Sequence, residues 1–319
     1  MDRRSFITRG VGLLAMGGTA TGVAASPAPA EQATTEQVTA EHATAGVKIT
    51  WFGASTLQIE FKGRTLLADP CFGEGEAAFV MGDPNEMFDL ATGPSVKAHA
   101  RNTPLRRSKL RAPDWVILSH AHEDHFDQSA ARALAPEVPF LLPPQDVAKI
   151  AGHGFTALDP VDWGESRSLA VGTDSGSARI DITALPAAHS ETPEIAEVLG
   201  KGNGYWLRFT DGDWSRSIYW TGDTFGTPPV VEAVAAMGRP DLMIAHLGGV
   251  GATGSLGKIS MGAEDLMPFV AAIQPKQILP IHHTTYDLFL EPITALVALN
   301  GEGAMGLDVL ASGSTLWLD

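Results

Sequence analysis

The residues with the densest capacity for chemistry form one short stretch, Ser119-His120-Ala121-His122-Glu123-Asp124-His125-Phe126-Asp127. It holds three imidazoles and three carboxylates within nine residues. Neutral imidazole nitrogens together with carboxylate oxygens suit zinc or a similar divalent transition ion. The same residue types could form a solvated acidic loop. That reading must explain every polar side chain at once in a place where the flanking sequence is apolar.

The flanks decide where the stretch sits. Trp115-Val116-Ile117-Leu118 is a short apolar run and reads as a buried strand. Gln128 to Leu134 is rich in alanine and reads as a helix. The stretch is then a strand-to-helix loop. Residues two apart at an extended strand end project to the same side, so His120 and His122 can share one ion. Asp124 and His125 follow after the chain turns and can face a second.

The stretch resembles the His-x-His-x-Asp-His signature of the metallo-β-lactamase superfamily, which draws its remaining ligands from distant loops. Each further position the resemblance asks for is filled. His189 follows the alternating run Arg179 to Leu185, where the family places a third histidine. Thr221-Gly222-Asp223-Thr224 ends the run from Ser217 to Trp220, where the family has a carboxylate shared by two ions. Gln277-Ile278-Leu279-Pro280-Ile281 ends in His282-His283, and the family's Pro-x-His register selects His282, although a slip of one residue would select His283.

The resemblance implies two divalent metal ions, with zinc expected and manganese or iron also compatible with these donors. His120, His122 and His189 would hold one ion, and Asp124, His125 and His282 the other, with Asp223 between them. Asp124 would also orient the nucleophile. The implied fold is α/β, a four-layer αββα sandwich of the metallo-β-lactamase type, over residues 47–319. The implied chemistry is hydrolysis by a metal-bound hydroxide. Among the branches, the sequence looks most like the broad metal-dependent hydrolases, which include ascorbate-6-phosphate lactonase-like and N-acylphosphatidylethanolamine phospholipase D-like proteins. An ester, a lactone or a phosphodiester is the expected substrate. The alternative, from another class, is an exported module that binds metal or ligand without turnover.

Other residues carry weaker signals. Asp69, before Pro70, either orients a ligand histidine or caps a turn. His246, after the strand-like run Asp241 to Ala245, reads as a core or supporting residue rather than a ligand. The segment from Cys71 to Arg111 is irregular and long, which in a compact fold marks function or mobility. It is expected to border the site, with Phe72, Phe79, Met81, Met87 and Phe88 as a candidate apolar wall. Its basic residues Arg101, Arg106, Arg107, Lys109 and Arg111 form either a solvated face or an attractor for an anionic substrate. Glu191 to Gly204 reads as an irregular lid, and Tyr286 and Asp287 as residues able to reach the pocket. Leu307 to Leu318 reads as a closing strand.

The chain has 319 residues, 44% of them hydrophobic, enough to bury a large core. A formal charge of −15 argues against a nucleic-acid partner. A small-molecule substrate is expected, and no stable membrane span. Oligomeric state is not legible. Residues 1–30 read as a twin-arginine signal peptide: Asp2-Arg3-Arg4-Ser5-Phe6-Ile7, a Gly-rich weakly apolar run, then cleavage sites after Ala25 or Ala30. The export machinery is therefore an expected transient partner, and the location periplasmic or extracellular. Residues 31–46 read as a disordered linker. Cys71 is the single cysteine, so no intrachain disulfide can form.

Overall fold

Apolar side chains alternate along the strands of two sheets, and each sheet has two faces to cover. A computed structural model describes residues 46–172, 178–301, 303 and 305–319. The expected signal peptide and all of the expected linker but Gly46 lie outside the described residues.

The first sheet takes its strands from β1 (Val47–Trp51), β2 (Leu57–Phe61) and β3 (Arg64–Ala68), an antiparallel meander. A small hairpin follows, β4 (Phe79–Gly82) with β5 (Val96–His99). The chain re-enters the first sheet as β6 (Trp115–Ile117), parallel to β3, then crosses through helix α1 (Gln128–Ala133) to β7 (Phe140–Leu142). Helix α2 (Val147–Gly152) leads to β8 (Leu158–Pro160). The second sheet begins with β9 (Ser166–Ala170) and β10 (Arg179–Ala187). Helix α3 (Pro193–Leu199) precedes β11 (Gly202–Asp211) and β12 (Trp214–Trp220). After α4 (Pro228–Met237), β13 (Leu242–His246), α5 (Ala263–Ile273) and β14 (Gln277–Ile281) complete that sheet. Helix α6 (Thr294–Asn300) and β15 (Thr315–Leu318) return the chain to β1.

The sheet orders are β15-β1-β2-β3-β6-β7-β8 and β14-β13-β12-β11-β10-β9. Their inner faces meet over Ile49, Leu57, Ile59 and Phe61 on one side and Ile182, Tyr205, Leu207, Phe209 and Trp220 on the other. The period of two sends Trp206 and Tyr219 outward, against Val230 and Val234 of α4 and Leu266 and Phe269 of α5. Leu67, Val116 and Phe140 likewise leave the first sheet to meet Ala130 of α1 and Ile150 of α2. The result is the expected four-layer αββα sandwich. Each such side chain contributes about 1.5–3 kcal/mol by leaving water.

Three local expectations need correction. The segment 71–111 is not wholly irregular, because it carries the β4–β5 hairpin. The lid at 191–204 contains α3, seven residues begun by Pro193, and its end already belongs to β11. The closing run 307–318 is strand only over Thr315–Leu318, with Leu307 making an isolated bridge to Ile278.

The topology delivers chain ends to one edge. Strands β12, β13 and β14 are parallel and in register, Trp220 opposite Ile244 and His246 opposite Ile281. Whatever follows them emerges side by side. Strand β10 is antiparallel to β11, itself antiparallel to β12, so β10 ends at the same edge. Parallel β3 and β6 place Asp69 next to the residues after Ile117.

Candidate metal centre

The loop after β6 is shaped by its own polar residues. His125 and Phe126 both donate a backbone N–H to the carbonyl of His122, closing a turn. Asp127 caps α1 by accepting from the Ala130 N–H at 2.6 Å, and its other oxygen accepts from the Gly73 N–H. The last acidic residue of the stretch is therefore structural. Ser55 Oγ donates to the Asp124 carbonyl at 2.9 Å and steadies the turn from β2's side.

The edge of the sandwich then gathers two sets of side chains. Nitrogens of His120, His122 and His189 lie within 4.8 Å of one another, as do donor atoms of His125, Asp223, His246 and His282. Asp124 Oδ2 joins the second set, 3.3 Å from His282 Nε2 and 3.9 Å from His125 Nε2. Asp223 Oδ2 lies 3.6 Å from His189 Nε2 and 3.4 Å from His125 Nε2, so it stands between the sets. Two donors about 2.1 Å from one tetrahedral ion sit about 3.4 Å apart, and these spacings match. The structure brings all seven sequence-derived positions together.

The far sides of four of the five rings are pinned. His189 Nδ1–H donates to the Ile259 carbonyl at 2.6 Å, and His282 Nδ1–H to the Leu247 carbonyl at 2.7 Å. His125 Nδ1–H donates to Asp69 Oδ2 at 2.7 Å. Ser119 Oγ–H is committed to Asp69 Oδ2 at 2.6 Å, so Ser119 Oγ accepts from His120 Nδ1–H at 3.0 Å. A carbonyl or carboxylate partner at Nδ1 fixes the tautomer and aims the Nε2 lone pair inward. Nε2 of His125 and Nε2 of His189 are buried with no hydrogen-bond partner. Orphaned buried acceptors beside carboxylates are the donor set a divalent cation satisfies, so these residues fit such an ion.

His246 has the proximity but not the lone pair. Trp220 Nε1–H can only donate, and it does so to His246 Nε2 at 2.7 Å. His246 Nδ1 therefore carries the proton and gives it to Asp223 Oδ1 at 3.0 Å. The residue orients a carboxylate. His283 turns away, its Nδ1 2.8 Å from Thr284 Oγ1 and its ring 4.9 Å from that of Trp51. Of the two adjacent histidines, His282 faces the cluster. It does so at φ +60°, a left-handed conformation that a non-glycine residue rarely adopts.

The electrostatics follow the geometry. Burial holds His120 well below its ordinary range, and burial beside His189 lowers His122 to about 3, so both imidazoles are neutral donors. Burial also opposes charge on His125, but Asp223, Asp124 and Asp69 outweigh it and push His125 well up. Burial likewise resists ionisation of Asp223, which His282 and His125 nevertheless hold well below the carboxylate range. Beneath the loop, burial pushes up the thiol of Cys71, which lies 3.9 Å from Ser55 Oγ.

A cavity of about 260 Å³ opens directly over His122, Asp124, His189 and Asp223. Its walls are Met81, Phe88 and Leu90 from the hairpin region, Ile195, Val198 and Leu199 from α3, and Val250, Leu256 and Ile259. Of the expected apolar wall, Met81 and Phe88 are there. Phe72 and Phe79 are core residues, and Met87 is exposed without lining the cavity. Tyr286 is buried against Phe79 and is not among the lining residues. Four of the five residues of the basic cluster are engaged in structure. Arg101 donates to the carbonyls of Phe52, Cys71 and Thr103, Arg107 pairs with Glu74, Lys109 donates to Gly313, and Arg111 pairs with Glu60. The segment expected as a lid, 191–204, supplies Ile195, Val198 and Leu199, whereas sequence reasoning missed the contribution of 250–259, whose apolar residues look like any packing residue.

Similarity to known proteins agrees with this architecture. Residues 48–282 match the family model described as a beta-lactamase superfamily domain. The chain belongs to that superfamily, and the fold and edge-sited cluster place it among the metal-dependent hydrolases of the metallo-β-lactamase fold. It is similar to a UPF0173 metal-dependent hydrolase of Methylobacterium nodulans, 26% identical over 264 residues covering 81% of this chain and 94% of the relative. In structure it is similar to a possible metal-dependent hydrolase from Veillonella parvula, with TM-score 0.68, 20% identity, and coverage of 86% and 100%. It is also similar to an isothiocyanate hydrolase from Delia radicum gut bacteria, with TM-score 0.66, 23% identity, and coverage of 84% and 98%. No helix among the described residues is long and apolar enough to cross a membrane.

Proposed function

We propose that the protein is an exported dinuclear hydrolase. One divalent ion would be held by His120, His122 and His189, the other by Asp124, His125 and His282, with Asp223 shared. Zinc is the expected metal, and manganese or iron suit the same donors. The observation that carries the reading is the pair of orphaned, buried Nε2 atoms of His125 and His189, each aimed at Asp223.

Two such ions supply Lewis acidity and bring the pKa of a coordinated water from 15.7 towards about 7. The chain's own residues do the rest. Asp69 and the carbonyls of Ile259 and Leu247 hold the imidazoles in the tautomer that presents Nε2. His246 fixes the rotation of Asp223. Asp124 is placed to orient the attacking water, since its carboxylate borders both the cluster and the cavity. The electrophile is an ester or lactone carbonyl, or a phosphodiester. The similar isothiocyanate hydrolase adds the N=C=S carbon to that set.

Export rests on the leader alone: Arg3-Arg4, the Gly-rich run and the small residues before Ala30, all ahead of the family match that begins at residue 48. Sequencing the N-terminus of the mature protein from its native host tests it. An intact Met1 outside the cytoplasm would remove the proposal.

The central test is metal analysis beside a panel of aryl esters, lactones, benzyl isothiocyanate and an aryl phosphodiester, with and without chelator. Two equivalents of metal and chelator-sensitive, metal-restored turnover are expected. Turnover indifferent to chelation would overturn the hydrolase mechanism. Bound metal with no turnover on any member would favour the non-catalytic binding module instead.

A further inference from the structure

The cavity over the cluster has a chemical preference of its own. Apolar side chains face it from three separate segments, among them Met81, Phe88, Ile195, Leu199, Leu256 and Ile259. None of its described lining residues is Lys or Arg, whereas Glu123, Asp124 and Asp223 are among them. Lys97 of β5 pairs with Asp83 and Glu86 and does not line it, nor do Arg101, Arg106, Arg107, Lys109 and Arg111. Lys149 and Lys201 line a different, smaller cavity on the other side of His122, each paired with a carboxylate, Glu123 and Asp162.

The wall is also held in place. Asn85 accepts from the Gly251 N–H at 2.6 Å, and Thr253 Oγ1 donates to the Asn85 carbonyl. Ser255 Oγ accepts from the Phe88 N–H and donates to the Phe88 carbonyl, both at 2.6 Å. The backbones of 83–88 and 251–255 are so close that a Cβ on Gly254 would meet the Pro84 carbonyl at 1.8 Å. Two loops far apart in sequence thus form one stitched panel carrying Phe88 and Leu256.

Resting on the hydrolase reading, we infer that the substrate is an ester or lactone bearing an apolar, uncharged acyl group, and that the same ester with a charged acyl group is rejected. A charge carried on the acyl group, away from the floor, finds no cationic side chain among the described lining residues, and burying an unpaired charge is costly. An apolar cavity of about 150 Å³ takes up benzene, so about 260 Å³ accommodates an aryl ring or a short alkyl chain beside the reacting carbonyl. The acyl C–O bond breaks, water's oxygen joins the carbonyl carbon, and its two hydrogens are divided between the released acid and alcohol.

The test uses the metal-loaded full chain with p-nitrophenyl esters of two to six acyl carbons and with the p-nitrophenyl half-ester of adipic acid. Specificity kcat/KM is expected to rise roughly fourfold per methylene until the chamber is full. The hexanoate should exceed the adipate half-ester at least about 100-fold. Phe88→Arg should lower hexanoate turnover and raise half-ester turnover, moving the ratio at least about tenfold with metal content unchanged. Leu256→Ala, which leaves the panel's hydrogen bonds in place, should flatten the chain-length series. A second readout needs no turnover: calorimetry on chelator-treated protein should show an aryl alkyl ketone binding and the matching benzoate failing to bind. A flat chain-length series in the parent protein, a preference for the half-ester, or equal binding of ketone and benzoate would overturn the inference. Ketone binding without chelator-sensitive turnover would overturn the hydrolase reading and leave the chamber's preference standing.

Discussion

The floor and the wall of the cavity are built by opposite rules. The floor is polar, buried and held through hydrogen bonds one step behind it: Asp69, Ser119, His246 and two backbone carbonyls fix the rings and carboxylates that face inward. The wall is apolar and held from its backbone, through Asn85 and Ser255, while its side chains pack loosely enough to leave a chamber. The difference separates two tasks. The floor can fix reactivity only if its few atoms are placed within tenths of an ångström. The wall can select a substrate by area and lack of charge, and tolerates exchange of one apolar residue for another.

That separation breaks if a change in the floor leaves metal in place, or if a change in the wall removes it. The largest effect is expected for Asp223→Ala. It removes the carboxylate between the two sets of histidines and should drop bound metal below two equivalents, with turnover down at least about 100-fold. Elemental analysis with steady-state kinetics measures both. Asp69→Asn leaves every proposed ligand present and changes only the support of His125. It should weaken metal affinity about 10–100-fold, read by competition with a chelator, and unchanged affinity would mean the support is idle.

The pH dependence of metal uptake sharpens the same contrast. Burial resists charge on His125 and His282, but the facing Asp223 and Asp124 carboxylates raise both in the metal-free centre. A cation must therefore displace protons. Uptake should release protons at neutral pH, and affinity should strengthen as pH rises, about tenfold per unit for each proton displaced, levelling once those groups have titrated. Calorimetry in buffers of different ionisation enthalpy counts the protons, and zero release would contradict the assignment. The smallest effect belongs to the wall. Leu256→Ala should leave metal content unchanged and lower kcat/KM for an apolar ester about tenfold at most.

The same contrast explains what the sequence disclosed. The loop after Trp115–Ile117 was legible because its histidines and aspartates are anomalous directly after a buried strand. His189, Asp223 and His282 carry little signal alone and were legible through the family resemblance, which fixed their places at later strand ends such as that of Gln277–Ile281. The sandwich was legible for a similar reason, since period-two runs such as Leu57–Phe61 declare their faces. The wall was only partly legible. Phe88 and Phe79 look alike in sequence, yet one lines the chamber and the other packs against Tyr286. Apolar side chains carry no local mark of whether they face a void or a neighbour. His246 was read as a core or supporting residue, and its contact with Trp220, 26 residues away, could be seen only once both rings were in place.

One buried atom offers a practical handle. Cys71 is the molecule's only thiol, fully enclosed beneath the loop that presents His120 to His125, and burial keeps it protonated. An alkylating reagent in solution can therefore reach it only in molecules whose centre has come apart. Its labelling rate becomes a one-site clock for that opening, and comparing the clock with and without cations weighs how far they keep the edge of the sandwich shut.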